Sequence, residues 1–233
     1  MLKIAHRGAS GYQPENTMLA FASAIQLGAD AIEFDVRSSK DGALVVIHDE
    51  TVNRTTNGRG KVKDFTLGEL RRLDAVKEEK IPTLEEVLKI FGNRLICNIE
   101  LKEEWIGDKV LEIVKKCDCV ESVIVSAFSR EEGKESSWND LLILKIKEKK
   151  LKIGLLAGGS FIKHAILVAK TSDLFPIYSL HFPVSSLTYS LVRNTRQETG
   201  CKIMGWSTND RKTIERLKKM GVDGIFSDYP DRL

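Results

Sequence analysis

Glu33 and Asp35 stand two residues apart in Ala31-Ile32-Glu33-Phe34-Asp35-Val36. On an extended strand that spacing puts both carboxylates on one face and Ile32, Phe34 and Val36 on the other. If the apolar face lies under helices, the carboxylates face the inside of a closed sheet. There they repel each other and lose hydration, so positive charge is needed between them. Glu100, in Asn98-Ile99-Glu100-Leu101-Lys102, offers a third oxygen donor. Three carboxylates and no sulfur suit a hard divalent cation, Mg²⁺ or Ca²⁺, better than zinc; the competing arrangement is an ion-pair network with Arg7 and Lys102. His6 and His48 end short apolar runs. Imidazole is the side chain whose ordinary pKa allows it both to take and to give a proton near neutrality. A pair of them suits a reaction that removes one proton and delivers another, as cleavage of a phosphodiester does. Arg7 and Lys102 are the local cations that a phosphate would need besides a metal. Trp206 suits an aromatic wall for an uncharged group, or plain packing inside a barrel. His181 sits where it could touch a substrate, His164 reads as structural within a helical pattern, and Trp105 and Trp138 read as packing residues.

These residues can meet only if the chain brings distant segments to one place. Nine short apolar runs read as strands: Leu2–Ala5, Ala31–Val36, Ala43–Ile47, Leu95–Leu101, Ser122–Ala127, Lys152–Leu156, Ile177–His181, Cys201–Trp206 and Gly224–Ser227. Between them lie helical patterns at Thr17–Leu27 (capped by Asn16), Thr66–Leu73, Thr83–Phe91, Asp108–Lys116, Trp138–Lys149, Phe161–Lys170, Ser186–Glu198 and Arg211–Met220. Strands alternating with helices predict parallel βαβ units, and the count predicts a TIM-type (β/α)8 barrel. One run is surplus. Only six residues separate Val36 from Ala43, and they include Lys40-Asp41-Gly42. That is too short for a parallel crossover, so Ala43–Ile47 is expected to return antiparallel as an arm carrying His48 to the barrel mouth. Residues 1–233 read as one barrel domain, with about 49–82 as a small insertion in the second βα unit. In such a barrel the reactive groups belong at the C-terminal ends of the strands, where His6, Glu33, Asp35, Glu100, Lys102 and Trp206 all fall.

Composition narrows the classes of partner. Lys plus Arg number 36 against 33 Asp plus Glu in 233 residues, a net charge of +3 that is too small to predict nucleic-acid binding. The cysteines, Cys97, Cys117, Cys119 and Cys201, show no metal-site spacing and are expected as reduced, packed thiols. No apolar run reaches the length of a membrane span, and the first residues enter a strand at once, so a cytoplasmic protein with no stable membrane insertion is expected.

Several segments together carry a resemblance to the bacterial glycerophosphodiester phosphodiesterases. They are His6-Arg7-Gly8, Glu15-Asn16-Thr17, Glu33-Phe34-Asp35-Val36, Lys40-Asp41-Gly42 with Val46-Ile47-His48-Asp49, Arg54-Thr55-Thr56-Asn57-Gly58, Ile81-Pro82-Thr83-Leu84, Asn98-Ile99-Glu100-Leu101-Lys102, Trp206 to Asn209, and Gly221 to Pro230. The resemblance implies hydrolysis of a small-molecule glycerophosphodiester to glycerol 3-phosphate and an alcohol. It implies His6 and His48 as the acid–base pair, Glu33, Asp35 and Glu100 as ligands of one divalent cation, Arg7 and Lys102 on phosphate, and Trp206 beside the glycerol. Ala127, Ser207 and Ser227 depart from the family's usual residues, and Ser129–Ser137 does not look like its usual helix start. Two other readings compete. A lipid-directed relative, phospholipase D-like or phosphoinositide-cleaving, would carry an apolar or basic docking surface. A silent binding barrel would have lost one of the five reactive groups.

Overall fold

A computed structural model describes residues 1–128, 138–172 and 175–233; the unusual segment Ser129–Ser137 lies outside them. Strands and helices alternate as β1 (Leu2–His6), α1 (Met18–Gln26), β2 (Ala31–Ser38), β3 (Leu44–Val46), α2 (Leu67–Leu70), α3 (Leu84–Phe91), β4 (Ile96–Leu101), α4 (Gly107–Lys116), β5 (Val123–Phe128), α5 (Trp138–Lys147), β6 (Lys152–Leu156), α6 (Ile162–Thr171), β7 (Ser179–Pro183), α7 (Tyr189–Thr199), β8 (Lys202–Trp206), α8 (Arg211–Met220) and β9 (Gly224–Ser227). The sheet runs in the order β1-β9-β8-β7-β6-β5-β4-β2-β3, and β1 also pairs with β2. Every pairing except β2 with β3 is parallel, so eight strands close a barrel and β3 stands outside it. The expected (β/α)8 barrel is the observed fold. No described helix is long and apolar enough to cross a membrane.

The period-2 pattern of each strand sorts side chains between two environments. Ala5, Ile32, Phe34, Val36, Cys97, Ile99, Val123, Val125, Ile153, Leu155, Leu180, Ile203 and Ile225 belong to one large apolar cluster shared with the helices. Ile4, Ala31, Ile124, Met204 and Phe226 form a separate, smaller cluster. These five alternate with the helix-facing set along their strands and therefore point inward. Further along the same inward rows come Asn98, Ser126 and His181, then Glu33, Asp35 and Glu100, all buried. The lumen thus changes from apolar at one end to charged at the other.

The arm is built as a hairpin. Val36, Arg37 and Ser38 pair antiparallel with Val46, Val45 and Leu44, and the Ser39 hydroxyl accepts from Ala43 N–H at 2.8 Å across the turn. Gly42 takes φ +76°, which a side chain would disfavour. Ile47 N–H then donates to the Asp35 carbonyl at 3.0 Å, so His48 emerges next to the acidic strand. Residues beyond it fold over a third apolar cluster of Val45, Ile47, Val52, Val62, Leu70 and Ile81. Thr66 and Thr83 each start a helix with a reciprocal capping box to Glu69 and Glu86.

Several boundaries differ from expectation. The cap of α1 is Thr17, whose hydroxyl accepts from Ala20 N–H, and Asn16 is instead drawn into the site by Asp35. The helix expected over Thr66–Leu73 is the single turn Leu67–Leu70. α7 begins at Tyr189 because the Thr188 hydroxyl accepts from Leu191 N–H and caps it there. Trp138 packs against the main core, but Trp105 does not pack: it is 75% exposed. Its backbone N–H donates to the buried Asp140 carboxylate at 2.8 Å, and its φ is +65°. The four cysteines are free thiols, as expected.

Leu70 is fully buried in the cluster under the arm. Leu70→Ala is expected to cost about 2–5 kcal/mol and to lower the midpoint of a single cooperative thermal transition followed by circular dichroism. A separate low-temperature transition, with the main one unmoved, would show that the insertion is not built into the barrel core.

Candidate active site

The charged end of the lumen is assembled from five places in the chain. β1 ends at His6, and the backbone then enters the left-handed region at Arg7 (φ +56°) and Gly8 (φ +80°). A β-carbon on Gly8 would stand 2.7 Å from that of Ala20, so the turn can press against α1 only with glycine there. The same turn aims Arg7 N–H at Glu33 Oε2, at 3.0 Å. The Arg7 side chain reaches back over the acidic strand, with Nη1 donating to Glu15 Oε1 at 2.8 Å and Nε lying 3.4 Å from Asp35 Oδ2.

Oxygens of Glu33, Asp35 and Glu100 lie within 4.8 Å of one another, a donor set that could hold a metal ion. The strands enforce this: Glu33 pairs with Asn98 and Asp35 with Glu100 in the β2–β4 register, while His6 pairs with Glu33 across β1–β2. Lys102 contacts both Glu100 and Asp35, the latter at 3.2 Å. Asn16 Nδ2 donates to Asp35 Oδ2 at 2.9 Å. Burial opposes ionisation of Asp35, but Lys102 and Arg7 outweigh it and hold the carboxyl below its ordinary range. Glu33 goes the other way: burial and the neighbouring Asp35 charge push it well above that range. Burial works against the charge on Lys102, yet Glu100 and Asp35 keep its pKa raised. The site therefore carries more negative charge than its own cations balance comfortably, and the unrelieved group is Glu33.

Both sequence-selected imidazoles are anchored through Nδ1. His6 Nδ1 lies 2.7 Å from Asp228 Oδ1, and His48 Nδ1 lies 2.7 Å from Asp49 Oδ1. Their surroundings differ. Asp228 is otherwise held by neutral donors, Ser10 Oγ at 3.0 Å and Asn209 Nδ2 at 2.7 Å. Asp49 is gripped by Arg54, with Nε at 2.8 Å and Nη2 at 2.9 Å. Burial lowers the pKa of His6, but the Asp228 bond and the Glu33 charge reverse this and leave it raised. For His48, burial and Lys102 prevail over Asp35 and Asp49, and the pKa falls.

Trp206, at the end of β8, is half-buried and meets Phe128 edge-on with ring centroids 5.8 Å apart. Its indole Nε1 is buried without a hydrogen-bond partner among the described residues. His181 does not reach the mouth. It is fully buried, paired at Nε2 with Ser179 Oγ at 2.8 Å and tilted against Phe226, and burial drops its pKa to about 3. It is a neutral residue of the barrel interior, because β7 continues past it to Pro183. All eight residues selected from sequence lie on barrel strands, directly after them, or at the end of the arm. Glu15, Asn16, Asp49 and Asp228 join them through direct bonds, and Arg54 through Glu15 and Asp49, although sequence reasoning gave none of the five a role in the site. The available signal was their position: polar residues clustered just after strand ends and after His48.

Comparison with known proteins shows the family and the fold. The sequence model of the glycerophosphoryl diester phosphodiesterase family matches residues 6–232. A glycerophosphodiester phosphodiesterase of Caldanaerobacter subterraneus subsp. tengcongensis is 40% identical, with 100% of this chain and 96% of the relative covered. The crystal structure of a glycerophosphodiester phosphodiesterase from Agrobacterium tumefaciens superposes with a TM-score of 0.83 at 30% identity, covering 100% of this chain and 98% of the other. A phosphodiesterase from Oleispira antarctica, solved in complex with the product sn-glycerol-3-phosphate, gives 0.82 at 28% identity, covering 98% and 93%. With matches of this extent in sequence and fold, the chain belongs to the glycerophosphoryl diester phosphodiesterase family, whose members are phosphoric diester hydrolases.

Proposed function

We propose that this protein hydrolyses glycerophosphodiesters to glycerol 3-phosphate and an alcohol, using His6 and His48 as the acid–base pair and one divalent cation, Mg²⁺ or Ca²⁺, on Glu33, Asp35 and Glu100. The observation that carries the reading is the meeting, at one barrel mouth, of a buried three-carboxylate cluster and two imidazoles each anchored at Nδ1. The cluster suits a hard cation: its donors are all carboxylate oxygens, and burial beside Asp35 disfavours the charge on Glu33, which a cation would stabilise. Such an ion, when bound, polarises a phosphate oxygen and lowers the pKa of a nearby hydroxyl.

The protein's own groups supply the proton transfers. His48, with its lowered pKa, is the neutral base that takes the proton of the substrate's glycerol 2-hydroxyl. His6, held protonated by Asp228, delivers a proton to the departing alcohol oxygen. The new P–O bond closes a cyclic phosphate as the bond to the alcohol breaks. Attack by a hydroxyl of the same molecule has the proximity advantage that a separate water lacks. In the second half the roles exchange. Neutral His6 takes a proton from water, the water oxygen bonds to phosphorus as the bond from phosphorus to the 2-oxygen breaks, and His48 returns its proton to that 2-oxygen. Arg7 and Lys102 carry the donors to hold phosphate oxygens, and the half-buried Trp206 ring at the end of β8 stands as an aromatic wall beside the glycerol. In this reading residues 1–233 work as one unit, with 49–82 shaping the mouth.

Protein stripped of metal and assayed in chelator should lose its activity and regain it on addition of Mg²⁺ or Ca²⁺. Glu100→Gln should weaken the cation dependence while the circular dichroism spectrum stays native. Full activity in chelator would return the carboxylates to a structural ion-pair network. The pH dependence of kcat/KM should be bell-shaped. His48 must be neutral, so the acid limb should lie below its ordinary value of 6.5. His6 must be protonated, so the alkaline limb should lie above 6.5. Each single alanine variant of His6 or His48 should lose at least about 10²-fold in kcat, and the double variant far less than the product of the two losses. An analogue with hydrogen in place of the 2-hydroxyl should be turned over at a small fraction of the normal rate; hydrolysis at the full rate would replace internal attack by attack of water.

A further inference from the structure

Arg54 is the residue on which two halves of the site converge. Its guanidinium grips Asp49 through Nε and Nη2, at 2.8 and 2.9 Å, and Glu15 through Nη1 and Nη2, at 2.6 and 2.9 Å. Asp49 is the partner of His48 Nδ1, and Glu15 is the partner of Arg7 Nη1. A continuous line of charged hydrogen bonds therefore runs Arg7–Glu15–Arg54–Asp49–His48. Two of its members come from the turn after β1 and three from the arm and insertion. Among the described residues no arginine or lysine touches Asp228, whose side-chain supports besides His6 are Ser10 and Asn209.

The insertion holds Arg54 in place. Val52 is fully buried in the small apolar cluster, and Thr56 N–H and Oγ1 both donate to the Val52 carbonyl, at 3.1 and 2.7 Å. Gly58 N–H donates to Thr56 Oγ1 at 3.0 Å, and Asn57 exchanges bonds with the Asp74 backbone at 3.0 and 3.1 Å. The segment Arg54-Thr55-Thr56-Asn57-Gly58 is thus a closed turn whose first residue points to the site. The Arg54 side chain is about half exposed, and an exposed ion pair of ordinary geometry contributes little. A planar fork with two donors on each of two carboxylates is different: it fixes both carboxylates relative to one plane, which an ammonium cannot do.

We propose that Arg54 and Asp49 are positioning residues for the reaction: Arg54, from the insertion, locks Asp49 against His48 and Glu15 against Arg7, so that the base and the phosphate-binding arginine are set as one unit. The proposal rests on the reading of His48 as a catalytic residue.

The test is steady-state hydrolysis of glycerophosphocholine by full-length protein with Mg²⁺ present, with circular dichroism on every variant. Arg54→Met and Asp49→Asn should each lower kcat by about 10- to 100-fold, the size of effect seen when the partner of an active-site histidine is removed. Arg54→Lys should recover only part of the loss. Added guanidinium ion should restore Arg54→Ala but not Asp49→Asn. Arg54→Met with Asp49→Asn should lose little more than either alone, since both act through His48. An unchanged kcat in Arg54→Met, or a double variant that loses the product of the two single losses, overturns the proposal. Should Arg54→Met fail to fold, Asp49→Asn, which keeps size and fold, gives the same decision through its kcat. His48→Ala separates the two levels: if it keeps full activity, the catalytic reading itself falls, and if it is inactive while Asp49→Asn and Arg54→Lys are normal, only this proposal does.

Discussion

Three carboxylates enclosed at one end of a barrel are the constraint to which most of the surrounding structure answers. Water cannot spread their charge there, so other groups must. Lys102 lies on two of them, Arg7 and Asn16 lie on Asp35, and a backbone N–H is turned onto Glu33. Meeting that last need forces Arg7 into a left-handed conformation, and Gly8 follows because only glycine fits against Ala20. Local strain is thus tied directly to the electrostatics of the site. The helix start nearby reflects the same demand: Asn16 is taken up by Asp35, and Thr17 does the capping.

The two histidines show how similar local chemistry can be given opposite tendencies. Each imidazole is fixed at Nδ1 by a carboxylate at the same distance, which leaves Nε2 outside that bond. Around His6, burial lowers the pKa but the Asp228 bond and the Glu33 charge outweigh it and leave it raised; around His48, burial and Lys102 outweigh Asp35 and Asp49 and lower it. The difference is made by the charges each imidazole meets beyond its own carboxylate. It is the kind of arrangement in which an acid and a base of the same residue type can operate together near neutral pH.

Much of this is legible in the order of the residues. The alternation around Glu33 and Asp35, the short gap ahead of Ala43 and the repeat of strand and helix patterns depend on local rules, namely the period of a strand and the length a crossover needs. Those rules lead to the barrel, the antiparallel arm and the eight residues proposed for the site. Local patterns are weaker where two nearby groups compete for one role. Asn16 and Thr17 are both good caps, and only the position of Asp35 on another strand decides between them. His181 and Trp105 depart from expectation for a related reason. The strand continues two residues past His181, and the backbone of Trp105 is tied to the Asp140 carboxylate, far along the chain, with the indole left exposed.

What the sequence by itself determined is therefore the set of reactive groups and the topology that gathers them, because both follow from residue type and from spacing along the chain. Tertiary structure alone decided which carboxylate supports which histidine, that Arg54 joins Asp49 to Glu15, and which of the two imidazoles has its pKa raised and which lowered. Those outcomes depend on distances of about 3 Å between residues as far apart as His6 and Asp228. Electrostatic interactions in a buried site are set by such distances and by burial, and neither is written in the order of the residues.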